Sequence, residues 1–372
     1  MIDRKRNYLK MRERENIVKK YIGLEDMSHV NCSNVLQVIR NHGEVSRKQI
    51  VDITGLSWGG MTKIVNRLFE NEYIVEEKSK NLAGSGRIPN VIRMNQEKHF
   101  VLGVDINKTG LRAYVTDLSG DLKQEYFVSN VFENKKQLLG NIINFLELVF
   151  NDFKKNGIHA IGIAMQGSVD VEQGISIRFP ECKDWKNVPL AEILKENFQT
   201  NVYLEHDPDC MLYSNLSMED SKNLVLFRVD HSIGMAVSVN GTILRGNGIL
   251  EVAHHIAVPG GKACKCGRKG CLEAYIAPCI KGKGVDRASV KDMIYPLAVT
   301  LYNMVGIFCA DTIILTGELM KYHNEFEEEL LFLLQKLMQE KTIKVKFEDD
   351  TRSAVKGAAF IAMQRAIDTI KL

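Results

Sequence analysis

Residues 251–275 read EVAHHIAVPGGKACKCGRKGCLEAY. Four side chains in this stretch, His254, Cys264, Cys266 and Cys271, are spaced H-x9-C-x-C-x4-C. Three soft thiolates and one imidazole suit a tetrahedral zinc ion. Four protein ligands leave no position for a metal-bound water, so the expected zinc is structural. Gly267 and Gly270 allow the sharp bend that brings the last sulfur round. Free thiols or two disulfides are the competing reading, and the tight spacing with its glycines favours metal. The ion would fix a loop, 251–273, with Glu251 at one end and Glu273 at the other.

Outward from this loop, the chain is long enough for two or three domains at 372 residues. Its 45% apolar and 26% charged residues are those of an ordinary globular protein. No run of 18 apolar residues occurs, and the basic start MIDRKRNYLKMRER has no apolar segment behind it. Neither a membrane span nor a signal peptide is expected, and the localisation expected is cytoplasmic. Eight cysteines, three of them in the loop, fit a reducing compartment better than a disulfide framework. Residues 1–96 hold 17 Lys+Arg against 11 Asp+Glu, a net +6 where the whole chain has +3. A basic segment on an acidic body is what binding to double-stranded DNA requires.

The segment 34–68 reads as three short helices. Val35, Leu36, Val38 and Ile39 give the first an apolar face that ends at Gly43. Ser46 and Gln49 stand at capping-box spacing ahead of a second helix that would bury Ile50, Val51 and Ile53. Gly55-Leu56-Ser57 is a tight turn, and Ser57 caps a third helix from about Trp58 to Asn71. That helix would bury Met61, Ile64, Val65 and Leu68 and expose Thr62, Lys63, Asn66 and Arg67. Helix, glycine turn and polar-faced helix are a helix-turn-helix. YIVEEKS and VIRMN alternate around GSGRIPN, which predicts a two-stranded wing with Arg87 at its tip, placed for the minor groove. Gly59-Gly60 is unexpected at the start of a recognition helix.

From Phe100 the pattern changes. HFVLGVDIN, GLRAYVTDLSG and KQEYFVSN predict three strands, and KQLLGNIINFLELVFNDFKK an amphipathic helix. HAIGIAMQGSVD and TNVYLEHD follow as strands, then NLVLFRVD, GMAVSVNG and TILRGNG as three more, a helix over IYPLAVTLYNMVGIFCA, and a strand in DTIILTGEL. A meander followed by β/α alternation, occurring twice, predicts an α/β, ribonuclease-H-like (actin-like) duplicated body behind the winged head. The expected division is a basic helical extension over 1–30, the winged head over 31–96 and the body over 97–372.

The 251–273 loop resembles the signature of the ROK family (repressors, open reading frames, kinases): GEIGH, then P-x-G-x-x-C-x-C-G-x-x-G-C-L-E. Glu251, Val252, His254, Pro259, Gly261, Cys264, Cys266, Gly267 and Gly270 to Glu273 match, while Leu250 and Ala253 replace glycines. IGIAMQGSVD and DWKNVPLAEIL are also similar to family segments, and the head is similar to the S-R…T-G-L-S…G-x-G-R-x-P pattern of the repressor branch. The resemblance implies DNA contacts from Arg47, Ser57, Thr62, Lys63, Asn66, Arg67 and Arg87 to operator DNA. It implies a sugar or sugar-derivative effector held by Asp207, His206, Glu251, His254 and Glu273, and a homodimer or dimer of dimers. His254 is a candidate for both metal and sugar.

Kinases of this family bind ATP phosphates on three glycine-rich turns, where backbone N–H groups close on an anion. The matching turns here are Asp105-Ile106-Asn107-Lys108-Thr109, Asp230 to Ala236 with one glycine, and Thr316-Gly317-Glu318. Their losses, and a carboxylate at Asp230, argue against nucleotide binding. No catalytic residue is assigned. The expectation is a sugar-responsive repressor rather than an enzyme; the alternative is an active sugar kinase carrying a DNA-binding head.

Overall fold

The computed structural model describes residues 24–78, 90–129, 131–153, 157–216, 221–230, 233–245, 252–281, 284–339 and 342–370. Residues 1–23, Arg87 and Glu251, which carry the expected basic extension, wing tip and one sugar contact, lie outside them.

Helices α1 (Leu24–His42), α2 (Arg47–Thr54) and α3 (Trp58–Glu70) precede an antiparallel ribbon of β1 (Ile74–Lys78) and β2 (Asn90–Met94). Local chemistry sets their ends. Ser46 Oγ accepts from the Gln49 backbone N–H, and the Gln49 side chain accepts from the Ser46 backbone N–H, a complete capping box. Gly55 ends α2 in the left-handed region, and Ser57 Oγ accepts from the Gly60 N–H at 3.2 Å to start α3.

Two expectations need correction here. The first helix starts at Leu24, ten residues before the predicted segment, and Ile53 is 49% exposed rather than buried. The reason for the first is contact made far along the chain. Next to Val30, which is 52% exposed, His29 donates to the Ile370 carbonyl at 3.2 Å, and Ser33 and Gln37 donate to Asp368. Such pairings leave no apolar period in the local sequence. Ile53 is exposed because Ile50 alone fills the inward position of α2, one turn before Thr54.

The body holds two sheets of one design. In the first, β3 (Phe100–Ile106), β4 (Gly110–Asp117) and β5 (Leu122–Ser129) form an antiparallel meander. Helix α4 (Lys135–Asp152) follows, and β6 (Ile158–Met165) and β7 (Asn201–His206) then add in parallel, giving the order β5-β4-β3-β6-β7. Helix α5 (Asp207–Leu216) leads to the second sheet. There β8 (Leu224–Val229), β9 (Ile233–Val239) and β10 (Thr242–Ile243) form the meander. Helix α6 (Arg287–Phe308) follows, and β11 (Thr312–Thr316) and β12 (Lys344–Glu348) add in parallel, giving β10-β9-β8-β11-β12. This is the duplicated α/β arrangement expected from the sequence pattern.

Apolar burial holds each lobe. Leu102, Val104, Ile142, Leu146 and Trp185 fill one core; Phe227, Leu297, Leu301, Ile313 and Leu315 fill the other. Each buried side chain of this kind stabilises by about 1.5–3 kcal/mol relative to exposure. The C-terminal helix α7 (Ser353–Asp368) packs on α5, β3, β6 and α1. Its Ala362, Met363, Ala366 and Ile367 share a core with Leu36, Ile39, Met61 and Leu68 of the head. Head and body are therefore joined by packed apolar surface.

Candidate functional site

The loop after β10 brings His254, Cys264, Cys266 and Cys271 together. His254 Nδ1 lies 3.6 Å from Cys264 Sγ, Cys266 Sγ lies 3.6 Å from Cys271 Sγ, and one ligand atom of each lies within 4.8 Å of the others. Ligand atoms on a zinc tetrahedron with bonds of about 2.0–2.3 Å stand about 3.5–3.8 Å apart. The donor set and these edges fit a metal ion and are compatible with zinc. Gly270 is required for the turn: its φ is 84°, and a Cβ there would fall 1.8 Å from the Val258 carbonyl oxygen. Arg268 Nε, 3.5 Å from Cys266 Sγ, holds that thiol down to about 6, which favours a thiolate ligand. Burial first, then its contacts with the Cys266 and Cys264 thiols, pushes Cys271 up to about 11. The other nitrogen of His254, Nε2, lies 3.4 Å from Glu273 Oε2. One imidazole thus faces the cysteines through Nδ1 and Glu273 through Nε2, the arrangement that an outer-shell carboxylate gives a metal-ligating histidine.

Asp207 opens α5 at the end of β7, and its side chain is buried. His206 Nε2 lies 3.5 Å from its Oδ1. Burial first, then the Arg228 charge, lowers His206 to about 3, so the ring is neutral and its buried Nδ1 has no partner among the described residues. Asp207 Oδ2 is held by Arg228 Nη1. Neighbouring Glu205 is buried and paired with Arg245, and Asp209 is pushed up to about 7 by burial and by Glu205. Among the described residues, no hydrogen bond or ion pair joins the Asp207–His206 pair to the His254–Glu273 pair.

The three turns expected to have lost their phosphate function meet at one cleft of about 150 Å³, lined by Asp105, Lys108, Arg228, Asp230 and Glu318 among others. Backbone N–H groups of the first and third turns are occupied by side chains of the chain itself. Asn107 Oδ1 accepts from the N–H of Thr109 at 2.8 Å and of Gly110 at 3.3 Å, and Gln166 Oε1 accepts from Lys108 N–H at 3.0 Å. Asp230 Oδ1 accepts the Glu318 N–H at 2.6 Å, directly beside Gly317, whose φ is 103°. Arg228 Nε lies 2.8 Å from Asp230 Oδ2, so one guanidinium joins Asp230 to Asp207. Asp105, pushed up to about 6 by burial, keeps one oxygen without a partner among the described residues.

A comparison with known families matches residues 101–285 to the ROK family. The chain carries a ROK family domain. Over 257 residues it is 26% identical to the DNA-binding transcriptional repressor Mlc of Escherichia coli K12, covering 67% of this chain and 63% of Mlc. Over 324 residues it is 24% identical to the xylose repressor of Bacillus spizizenii, covering 79% and 83%. Among solved structures, a ROK family transcriptional regulator described as a homologue of E. coli Mlc matches with TM-score 0.77 at 19% identity, over 92% of this chain and 97% of its own. A ROK hexokinase from Thermus thermophilus matches with TM-score 0.62 at 23% identity, over 71% and 97%. These structural likenesses establish the ROK fold, including a body shared by regulators and kinases.

Ahead of the ROK domain, the head residues singled out from sequence separate into different roles. Lys63 and Asn66 are exposed on α3. Thr62 corrects the expected polar face in part: the residue is half-exposed, but its hydroxyl oxygen is buried and has no partner among the described residues. Arg67 is only half-exposed. Arg47 lies 3.0 Å from Glu76 of β1, and the Ser57 hydroxyl is taken by its cap. Two features were missed. Trp58 is 57% exposed at the start of α3 and was read only as a helix boundary. Arg228 was passed over, although a charge inside the apolar strand LVLFRV is a signal.

Proposed function

We propose that this chain is a sugar-responsive, DNA-binding transcriptional repressor whose ROK body binds its effector without phosphorylating it. The observation that carries the reading is the closed phosphate cleft. Backbone donors that would take ATP phosphates in a kinase are satisfied by Asn107, Gln166 and Asp230. An incoming phosphate would have to displace those acceptors and would meet the Asp230 carboxylate. The relatives named as repressors, and a head with α2 and α3 in helix-turn-helix order, support the DNA-binding part.

The residues take these roles in the proposal. Zinc held by His254, Cys264, Cys266 and Cys271 is structural and presents Glu273 to the sugar. Asp207, His206, Glu273 and Glu251 supply the acceptors and donors that a polyhydroxylated ligand needs. Lys63 and Asn66 face the major groove, and Arg87 at the wing reaches the minor groove. A homodimer places two heads on paired half-sites, and the effector acts by favouring one arrangement of those heads. No helix among the described residues is long and apolar enough to cross a membrane.

The test is duplex selection from a random pool with the full chain, followed by titration of the selected duplex with a panel of monosaccharides, N-acetyl sugars and sugar phosphates. The reading expects one sugar to weaken duplex binding, with no sugar-dependent ATP turnover. A chain that selects no duplex, or that turns ATP over with a sugar, would overturn it.

A further inference from the structure

Arg228 sits where the sugar-reading group and the closed phosphate turns meet. On one side its Nη1 pairs with Asp207 Oδ2. On the other its Nε lies 2.8 Å from Asp230 Oδ2, and the second oxygen of Asp230 accepts the Glu318 N–H at 2.6 Å. The Glu318 side chain in turn lies 3.7 Å from Lys108 Nζ, on the turn between β3 and β4 of the opposite lobe. The chain of contacts thus runs from Asp207 through Arg228, Asp230 and Glu318 to Lys108, and crosses the cleft.

We propose that Arg228 is a positioning residue that transmits effector binding at Asp207 to the ion pair closing the two lobes. The proposal rests on the reading of Asp207 as a sugar contact and names how that site is regulated. A carboxylate has about four lone-pair directions, and a guanidinium uses a fixed fork of donors. A sugar hydroxyl donating to Asp207 competes with Arg228 for those lone pairs. Arg228 then leans on Asp230, whose hold on the Glu318 turn changes, and the Lys108–Glu318 pair across the cleft changes with it. Buried Asp105, with its unpartnered oxygen, lines the same cleft as Arg228 and is held back in its upward shift by the Arg228 charge. The guanidinium therefore has a second carboxylate within its field when it moves. Only differential interaction with the two arrangements can shift their populations, and this contact chain supplies it.

The experiment uses the full chain, Arg228→Met and Arg228→Lys. Methionine keeps most of the apolar stem and removes the fork; lysine keeps the charge but not the two-armed geometry. Each protein is titrated with D-glucose, D-xylose and N-acetyl-D-glucosamine, and hydrogen exchange is followed at 316–319 and 107–110. Duplex affinity is measured with and without the sugar that binds.

In the natural chain the sugar is expected to change exchange at 316–319. In both variants the sugar still binds, exchange at 316–319 no longer responds to it, and the ratio of duplex affinities with and without sugar falls to within about twofold of one. Without sugar, Arg228→Met exchanges about tenfold faster at 316–319 than the natural chain. A purely structural role would lower stability and leave that ratio intact. If Arg228→Met, or Arg228→Lys where the methionine variant does not fold, keeps the full sugar response, the relay is overturned while the reading of Asp207 stands. If the natural chain binds none of the three, nor any other sugar of the wider panel used for duplex release, the reading of Asp207 falls and the relay falls with it.

Discussion

Two regions of the body, the flank formed by the metal-site loop and the flank of turns at the inter-lobe cleft, use their polar groups differently. On the loop flank, the polar groups are held from behind: His254 Nε2 meets Glu273, and Nδ1 faces the cysteines. On the turn flank, backbone donors are consumed from within, with Asn107, Gln166 and Asp230 each taking one. A binding flank needs acceptors that a ligand can reach. A closed flank needs every donor satisfied, because an unmade buried hydrogen bond costs about 1–3 kcal/mol. In the proposed reading, which flank is left open decides between sugar sensing and phosphoryl transfer.

The largest effect that would sharpen this contrast is at the metal. Cys266→Ser or chelation should release one zinc per chain and lower stability by several kcal/mol, a share of the about 10–16 kcal/mol seen for structural zinc in small peptides. Calorimetry with metal analysis checks it, and a chelated chain that melts unchanged would leave the loop flank without its support. Next comes Asp230→Ala, which strands the Glu318 N–H and half of Arg228. It should cost about 1–3 kcal/mol in denaturant unfolding, whereas Glu273→Gln should cost little stability and lose the sugar. Equal losses in both variants would erase the distinction between the flanks.

Acid should act on the cleft through His206. Its folded pKa, about 3, is far below the ordinary histidine value of 6.5. The unfolded chain binds the proton first, so stability from this group is present above pH 6.5 and is lost as pH falls from 6.5 towards 3. His206→Asn should flatten that limb of the stability profile. The smallest effects are in the head. Lys63→Ala should weaken duplex binding by less than about 1–3 kcal/mol, the size of a base-reading contact. Thr62→Val should leave duplex binding unchanged and raise stability by up to about 1 kcal/mol, because it removes a buried hydroxyl without a partner.

Much of this was legible in the chain. Metal spacing is local, so His254 to Cys271 announces its cluster before any fold is known. The alternating strands and the capping pair Ser46 and Gln49 likewise rest on neighbours a few residues apart. What escaped depends on distant partners. Arg228 meets Asp207 across 21 residues, and Asp230 meets Glu318 across 88. Ser33 meets Asp368 across 335 residues, which is why neither the length of α1 nor the seating of the head on α7 could be read from periodicity. Thr62 borders the apolar face of α3, and that boundary, which periodicity alone places no better than one residue of rotation, leaves it half-exposed with a buried hydroxyl.

The central claim is that the cleft reads a sugar and refuses a nucleotide. Isothermal titration of the full chain with the sugar panel, and then with magnesium ATP in the presence and absence of the sugar that binds, tests it most directly. The account predicts saturable binding of one sugar and no heat from magnesium ATP in either state. Saturable magnesium ATP binding, or appearance of a sugar phosphate in the cell, would contradict it.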